Sequence, residues 1–231
     1  MIKITYKNQL VGCCLVFILT VLLAGCLTGG KSKSGIILPP IQADRIAFLG
    51  FKPAILEGQK PGLFQNPISG TTFNAQPVSQ ATTDKLSDEL YTFLIESKDP
   101  EFINLRDVKK LTDPALFKEG SNEIKIIQDI GNAISADAAI AGYIYRIRER
   151  VGSEYSAQSP ASVAFDVYLI SMKNGSLLWK SSFDKTQKTL SENLLELKSF
   201  LSYKGKWVDA DKLAEIGLKE LVDRMPLKNK Q

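Results

Sequence analysis

Residues 138–187 (AAIAGYIYRIRERVGSEYSAQSPASVAFDVYLISMKNGSLLWKSSFDKTQ) leave the chain little choice of fold. They read as three consecutive antiparallel strands, at 138–152, 162–172 and 176–184. In the middle one, Val163, Phe165, Val167 and Leu169 alternate with Ala164, Asp166 and Tyr168. A period of two puts the first set on one face and the second on the other, as in a half-buried strand. Between the last two strands stands Lys173-Asn174-Gly175. The Asn-Gly pair suits a tight hairpin turn, whose two central residues both need positive φ. A meander of this kind is a sheet core that needs helices to cover it.

The other segments supply those helices. Residues 45–51 (RIAFLGF) form a short apolar run suited to a buried strand. Residues 52–81 follow, about thirty positions carrying Pro53, Pro61, Pro67 and Pro77 with Gly58, Gly62 and Gly70. No regular element fits there, and a loop of this length is uncommon inside a compact domain unless it has a task. Leu63, Phe64, Ile68 and Phe73 would drape it on the sheet, or Phe64 and Ile68 would meet a partner. A helix is expected over 83–97, capped by Thr82 or Thr83, with Leu86, Leu90, Phe93 and Leu94 as its apolar stripe. A short strand at 102–105 precedes a helix at 122–136 capped by Ser121. Helices at 191–201 and 210–224 close the chain, the last capped by Asp209 and stopped before Pro226. The order β-α-β-α-β-β-β-α-α predicts an α/β fold of α+β leaning: a mixed sheet of about five strands ending in a meander, with about four helices packed on it.

Cysteine usage and the amino terminus speak to location. The three cysteines, Cys13, Cys14 and Cys26, all lie in the first 26 residues, and there is no histidine. The globular part therefore has no disulfide and no thiolate or imidazole metal ligand. Lys3 and Lys7 precede an apolar run at 10–22, the arrangement of a secretory signal. It leads into Leu23-Ala24-Gly25-Cys26, which closely resembles the lipobox of bacterial lipoproteins. That resemblance implies cleavage before Cys26, a diacylglycerol on its sulfur and acylation of its new amine. Several acyl chains at roughly 0.8 kcal/mol per buried methylene would hold a domain on a bilayer. The competing reading is an uncleaved membrane helix, since residues 8–30 carry no charge. Leu27 after the acylated position favours, by family analogy, the outer membrane. The organisation expected is a signal at 1–25, a lipidated end and tether at 26–43, one periplasmic domain at 44–226 and a polar tail at 227–231. Pro39-Pro40 stiffens the end of the tether. Gly30-Lys31-Ser32 echoes the end of a phosphate-binding loop but lacks its first glycine and a preceding strand.

Charge excludes little and chemistry excludes more. The formal +4 falls to about +2 without Lys3 and Lys7, too weak a bias for nucleic acid. Without histidine or a free cysteine in the domain, the common triads, dyads and zinc sites are closed to it. A carboxylate pair or Ser-Lys site has no spacing to single it out. No catalytic residue, cofactor or metal is expected.

Ala136-Asp137-Ala138 with Gly142, and Asn174-Gly175 with Trp179, set in this order of elements, resemble two groups of proteins. One is the periplasmic lipoproteins of the curli-secretion and penicillin-binding-protein-activator type. The other is the amino-terminal domain of the Tol-system propeller protein. The similarity covers about residues 45–184. It implies a small α/β domain that binds other envelope proteins or self-assembles, without enzymatic chemistry. The function expected is thus an accessory or assembly factor acting by protein-protein binding, with an oligomeric curli-type secretion-channel subunit as the alternative. Candidate partner contacts are Phe64, Ile68 and Trp207, and the row Arg146, Arg148 and Arg150. That row is expected on one face of the first meander strand, with Tyr143, Tyr145 and Ile147 on the other.

Overall fold

A computed structural model describes residues 40–105, 122–153, 157–187 and 207–230. Its centre is a five-stranded mixed sheet. Strand β1 (Arg45–Pro53) runs parallel to β6 (Glu101–Asn104) on one side and to β7 (Ala138–Arg148) on the other. Strands β7, β10 (Ser162–Ser171) and β11 (Leu177–Thr186) form the antiparallel meander, and the short strands β8 (Val151–Gly152) and β9 (Ala157–Ser159) pair with each other between β7 and β10. The order across the sheet is β11-β10-β7-β1-β6. The expected mixed sheet is present, and three described helices pack on it. The helix expected at 191–201 lies outside the described residues.

The apolar alternation of β10 divides the core as expected. Val163, Phe165, Val167 and Leu169 belong to one cluster with α1 (Gln80–Ser97) and α3 (Ala210–Arg224). Ala164, Tyr168 and Ile170 belong to a second cluster with α2 (Glu123–Ala133). The strand is not half-buried, however: Ser162 to Ile170 are all buried. Its second face is covered as well, partly by α2 and partly by the segment expected to have no regular structure.

Residues 52–81 contain β2 (Ile55–Leu56), β3 (Gly62–Gln65), β4 (Thr72–Ala75) and β5 (Pro77–Val78). Strands β3 and β4 form a hairpin, and β2 pairs in parallel with β5. The prolines do not prevent this because none sits inside a central strand. Pro53 ends β1, Pro61 precedes β3, Pro67 lies in the hairpin turn and Pro77 opens β5, positions that a residue without an N–H tolerates.

Helix caps differ from expectation where several polar residues adjoin. Ser79, not Thr82 or Thr83, caps α1, its hydroxyl accepting from the Thr82 amide at 3.2 Å. Asn122 caps α2, accepting from Lys125 at 3.1 Å, while Ser121 lies outside the described residues. Asp209 caps α3 as expected, accepting from Lys212 at 2.7 Å. The Asn174-Gly175 turn is also different. Only Gly175 has positive φ (70°), and the loop from Met172 to Gly175 closes through the Gly175 amide on the Ser171 carbonyl at 2.9 Å. A Cβ on Gly175 would stand 2.8 Å from Gln128 Oε1, so close packing on α2 adds to the demand for glycine.

The two ends of the domain meet. Ile41 bridges Leu227, its amide donating to the Pro226 carbonyl at 2.7 Å, and Asn229 bridges Lys98 at the end of α1. Leu227, expected in a polar tail, is only 4% exposed. Buried Lys98 donates to the Met225 carbonyl at 3.1 Å and to Asn229 Oδ1 at 2.7 Å, which fastens the strap of residues 226–230.

Candidate interaction surface

The hairpin is fixed to the sheet by a buried polar group. Asp166, 1% exposed, projects from β10 beneath it. Its Oδ2 accepts from Tyr168 at 2.7 Å and from Tyr145 at 3.2 Å, and lies 3.2 Å from the Lys180 ammonium. Asn66, fully buried in the hairpin turn, donates from Nδ2 to the Tyr145 oxygen at 2.8 Å. Its Oδ1 accepts from the amides of Ile68 and Ser69, shaping the turn. Since the Tyr168 proton is directed to Asp166, the Ser69 hydroxyl 3.1 Å away donates to Tyr168. Phe73 stacks on Tyr145 with centroids 3.8 Å apart, and Phe64 lies 5.4 Å from Tyr143. Burial, seconded for Tyr145 by its contacts with Tyr168 and Asp166, pushes the phenols of Tyr145 and Tyr168 well above the ordinary range. They therefore serve as hydrogen-bond donors rather than as acids.

A second buried group holds α2. Glu123, 7% exposed, accepts from the Tyr143 hydroxyl and pairs with Lys52 at 3.0 Å. Burial lowers the Lys52 ammonium and raises the Tyr143 phenol, with Glu123 countering the first effect and adding to the second. Among the described residues no set of three His, Cys, Asp or Glu side chains could hold a metal.

The arginine row is present in part: Arg146 and Arg148 oppose Ala164 and Ser162 and so share a face, with Ile147 on the other, but Tyr143 and Tyr145 lie on the arginine face rather than across from it. The pairing of β7 with β10 shifts between Ala164 and Phe165: Ala164 opposes Arg146, but Phe165 opposes Ile144. This bulge inserts one residue, so Ile147 joins Ile144 on the helical face while Arg146 follows Tyr143 and Tyr145 onto the other. Arg146 donates to Ser162 at 2.6 Å and reaches Asp184 across the small Ala164. Arg150, past the strand, donates to the Trp207 carbonyl at 2.8 Å. Neighbouring Glu149 accepts from the Ala210 amide at 3.2 Å, and Gln187 accepts from Val208 at 2.9 Å. These contacts dock the start of α3. Of the six candidate contacts, Arg148 is exposed, while Phe64, Ile68, Trp207, Arg146 and Arg150 are half-buried. Phe64 and Ile68 pack against the second core cluster. The outward apolar residue of the hairpin strands is Leu63, 80% exposed.

The strand order also places at one end of the sheet an edge that no single segment of the sequence reveals. Strand β11 spans ten residues and pairs with β10 alone among the described strands. Leu177 and Leu178 at its start are 43% and 39% exposed, and Ser182, Asp184 and Lys185 are exposed. Phe183 turns inward, filling the space that Gly217 of α3 leaves open; a Cβ there would stand 2.7 Å from its ring. The edge character follows from strand order, which periodicity within one strand does not supply.

No protein-family model matches the chain, and no curated protein matches it either. Solved structures do resemble it. The PelC dodecamer from Paraburkholderia phytofirmans has 12% identity and a TM-score of 0.42, over 84% of this chain and 95% of that one. The LpoB C-terminal domain from Salmonella enterica has 9% and 0.37, over 64% and 86%. TolB from Acinetobacter baumannii has 12% and 0.27, over 72% and 29%.

Proposed function

We propose that this chain is a lipid-anchored accessory or assembly factor of the bacterial envelope, acting from the periplasmic side of the outer membrane by binding protein, without catalysis or cofactor. The observation that carries the location is Leu23-Ala24-Gly25-Cys26 directly after a basic start and an apolar run. In this reading residues 1–25 are removed, Cys26 bears the lipid, and 26–43 tether the domain. What supports binding over chemistry is the use of the buried ionisable groups. Asp166, Glu123, Tyr143, Tyr145 and Tyr168 are engaged in holding the hairpin and α2 in place.

The β11 edge favours a second form of the same reading, an oligomeric subunit of the secretion type in place of a monomeric adaptor. An open strand edge is a ready site for another strand, from a partner or from a second copy. The hairpin at 62–75 has four residues in each strand, whereas a spanning strand needs roughly 9–11. That segment therefore serves the sheet, and any pore would need other residues.

Metabolic labelling with palmitate tests the anchor. The wild-type chain should incorporate label and lose residues 1–25, and Cys26→Ser should do neither. Label retained by Cys26→Ser, or an intact amino terminus on the wild-type protein, would sink the assignment.

A further inference from the structure

We propose that two copies of this chain pair through β11, antiparallel and about a two-fold axis at Ser182, so that their two five-stranded sheets become one. This rests on the binding reading and deepens it by naming the occupant of the edge.

The residues of β11 match their own reverse. Pairing with β10 gives the order of rows across the sheet: Tyr168 beside Lys180, Asp166 beside Ser182, Ala164 beside Asp184. An antiparallel copy centred on Ser182 sets Lys180 opposite Asp184 of the second copy, and Asp184 opposite its Lys180. Opposite charges facing one another stabilise a strand pair, and like charges destabilise it. On the helical face the same register sets Trp179 opposite Lys185, a cation beside an indole. Side chains alternate between faces, so a two-fold axis must pass through a residue and the neighbouring registers centre on Ser181 or Phe183. An axis at Ser181 sets Lys180 opposite Ser182 and Asp184 opposite Leu178. An axis at Phe183 sets Lys180 opposite Thr186 and Asp184 opposite Ser182. Only the pairing about Ser182 matches both charges.

The side chains are placed for this. Asp184 is already approached from one side by Arg146, and its carboxylate is 59% exposed. Lys180 keeps 27% exposure while paired with Asp166. In the dimer each of these charges would lie between two of opposite sign. Ser182, at the axis, is small and exposed, so two backbones can approach without a bulky side chain between them. Lysine on an edge strand ordinarily guards against pairing. Here an acidic residue stands at the self-complementary position, so the lysines would select one register. A two-fold axis closes the assembly, since neither copy keeps a free β11 edge.

Ser182→Cys in the full-length, membrane-extracted protein tests this directly. Directly opposed residues of an antiparallel pair have Cβ atoms about 4.5–5.5 Å apart, close enough for a disulfide after slight adjustment. With the anchor as proposed, the processed chain offers no competing thiol, because Cys13 and Cys14 leave with the signal and Cys26 is alkylated by its lipid. Under mild oxidation most of the Ser182→Cys chain should run as a covalent dimer without reductant. The wild type, and Asn74→Cys on the hairpin surface, should not. Ser182→Lys places two like charges on the axis and should sediment as a folded monomer at concentrations where the wild type is dimeric, with a melting temperature that no longer depends on protein concentration. A Ser182→Cys chain that stays monomeric, beside a wild type that sediments as a monomer, overturns the proposal. A disulfide from Ser182→Cys to a different protein also overturns it, while leaving the binding reading in place. So does a larger ring in which position 182 does not cross-link.

Discussion

Asp166 shows how much the meaning of one residue depends on what lies above it. Its alternation with Phe165 and Val167 does not tell a solvated carboxylate from a buried one, and in the sequence that face of β10 reads as open. The cover is a hairpin of four-residue strands, too short for a periodic signal and interrupted by proline. Once covered, the carboxylate depends on Tyr145, Tyr168 and Lys180. Asp166→Ala should lower unfolding stability by about 3 kcal/mol, the low end for removing one member of a buried pair, because Lys180 can still turn to water. Chemical denaturation would measure it. A loss under about 1 kcal/mol, no more than an ordinary hydrogen bond, would mean that the hairpin needs no such fastening.

At the scale of elements, strong periodicity and a defined cap are sufficient. The span of α3 and its Asp209 cap are as the sequence indicates, because Asp209 stands directly before a periodic apolar stripe and proline follows its end. The bulge in β7 is not legible. Tyr145 and Arg146 both suit a pleated surface, and only the pairing with β10 shows that one residue is extra. The strap of residues 226–230 is hidden for a similar reason: Leu227 is a lone apolar residue whose burial depends on Ile41, far away in the chain. Its fastening makes a pH prediction. Burial holds the Lys98 ammonium below the ordinary lysine value of 10.5, so unfolding takes up protons in the interval between the lowered value and 10.5. Stability from this group must therefore rise with pH across that interval, since the unfolded state binds more protons there. Measured against Lys98→Met, the wild type should gain stability as the pH is raised into that interval. Parallel curves for the two proteins would show that the ammonium is not held as described.

For the whole molecule, the mixed sheet and its helical cover are readable because both depend on patterns repeated over ten or more residues. The edge position of β11 is not, being a property of strand order. The absence of cysteine and histidine beyond residue 26 gives a further expectation. Thermal unfolding of the processed protein should be the same with or without reductant or chelator, and a chelator-induced fall of several degrees would reveal a metal held by carboxylates. The bridge between Ile41 and Leu227 also determines topography. Entry and exit of the chain lie side by side, and residues 26–40 reach at most about 50 Å at full extension. With the lipid on Cys26, a peptide tag or fluorophore added after the strap begins its path beside the tether. The carboxyl terminus is thus a handle on the anchored end, suited to reporting distance from the bilayer.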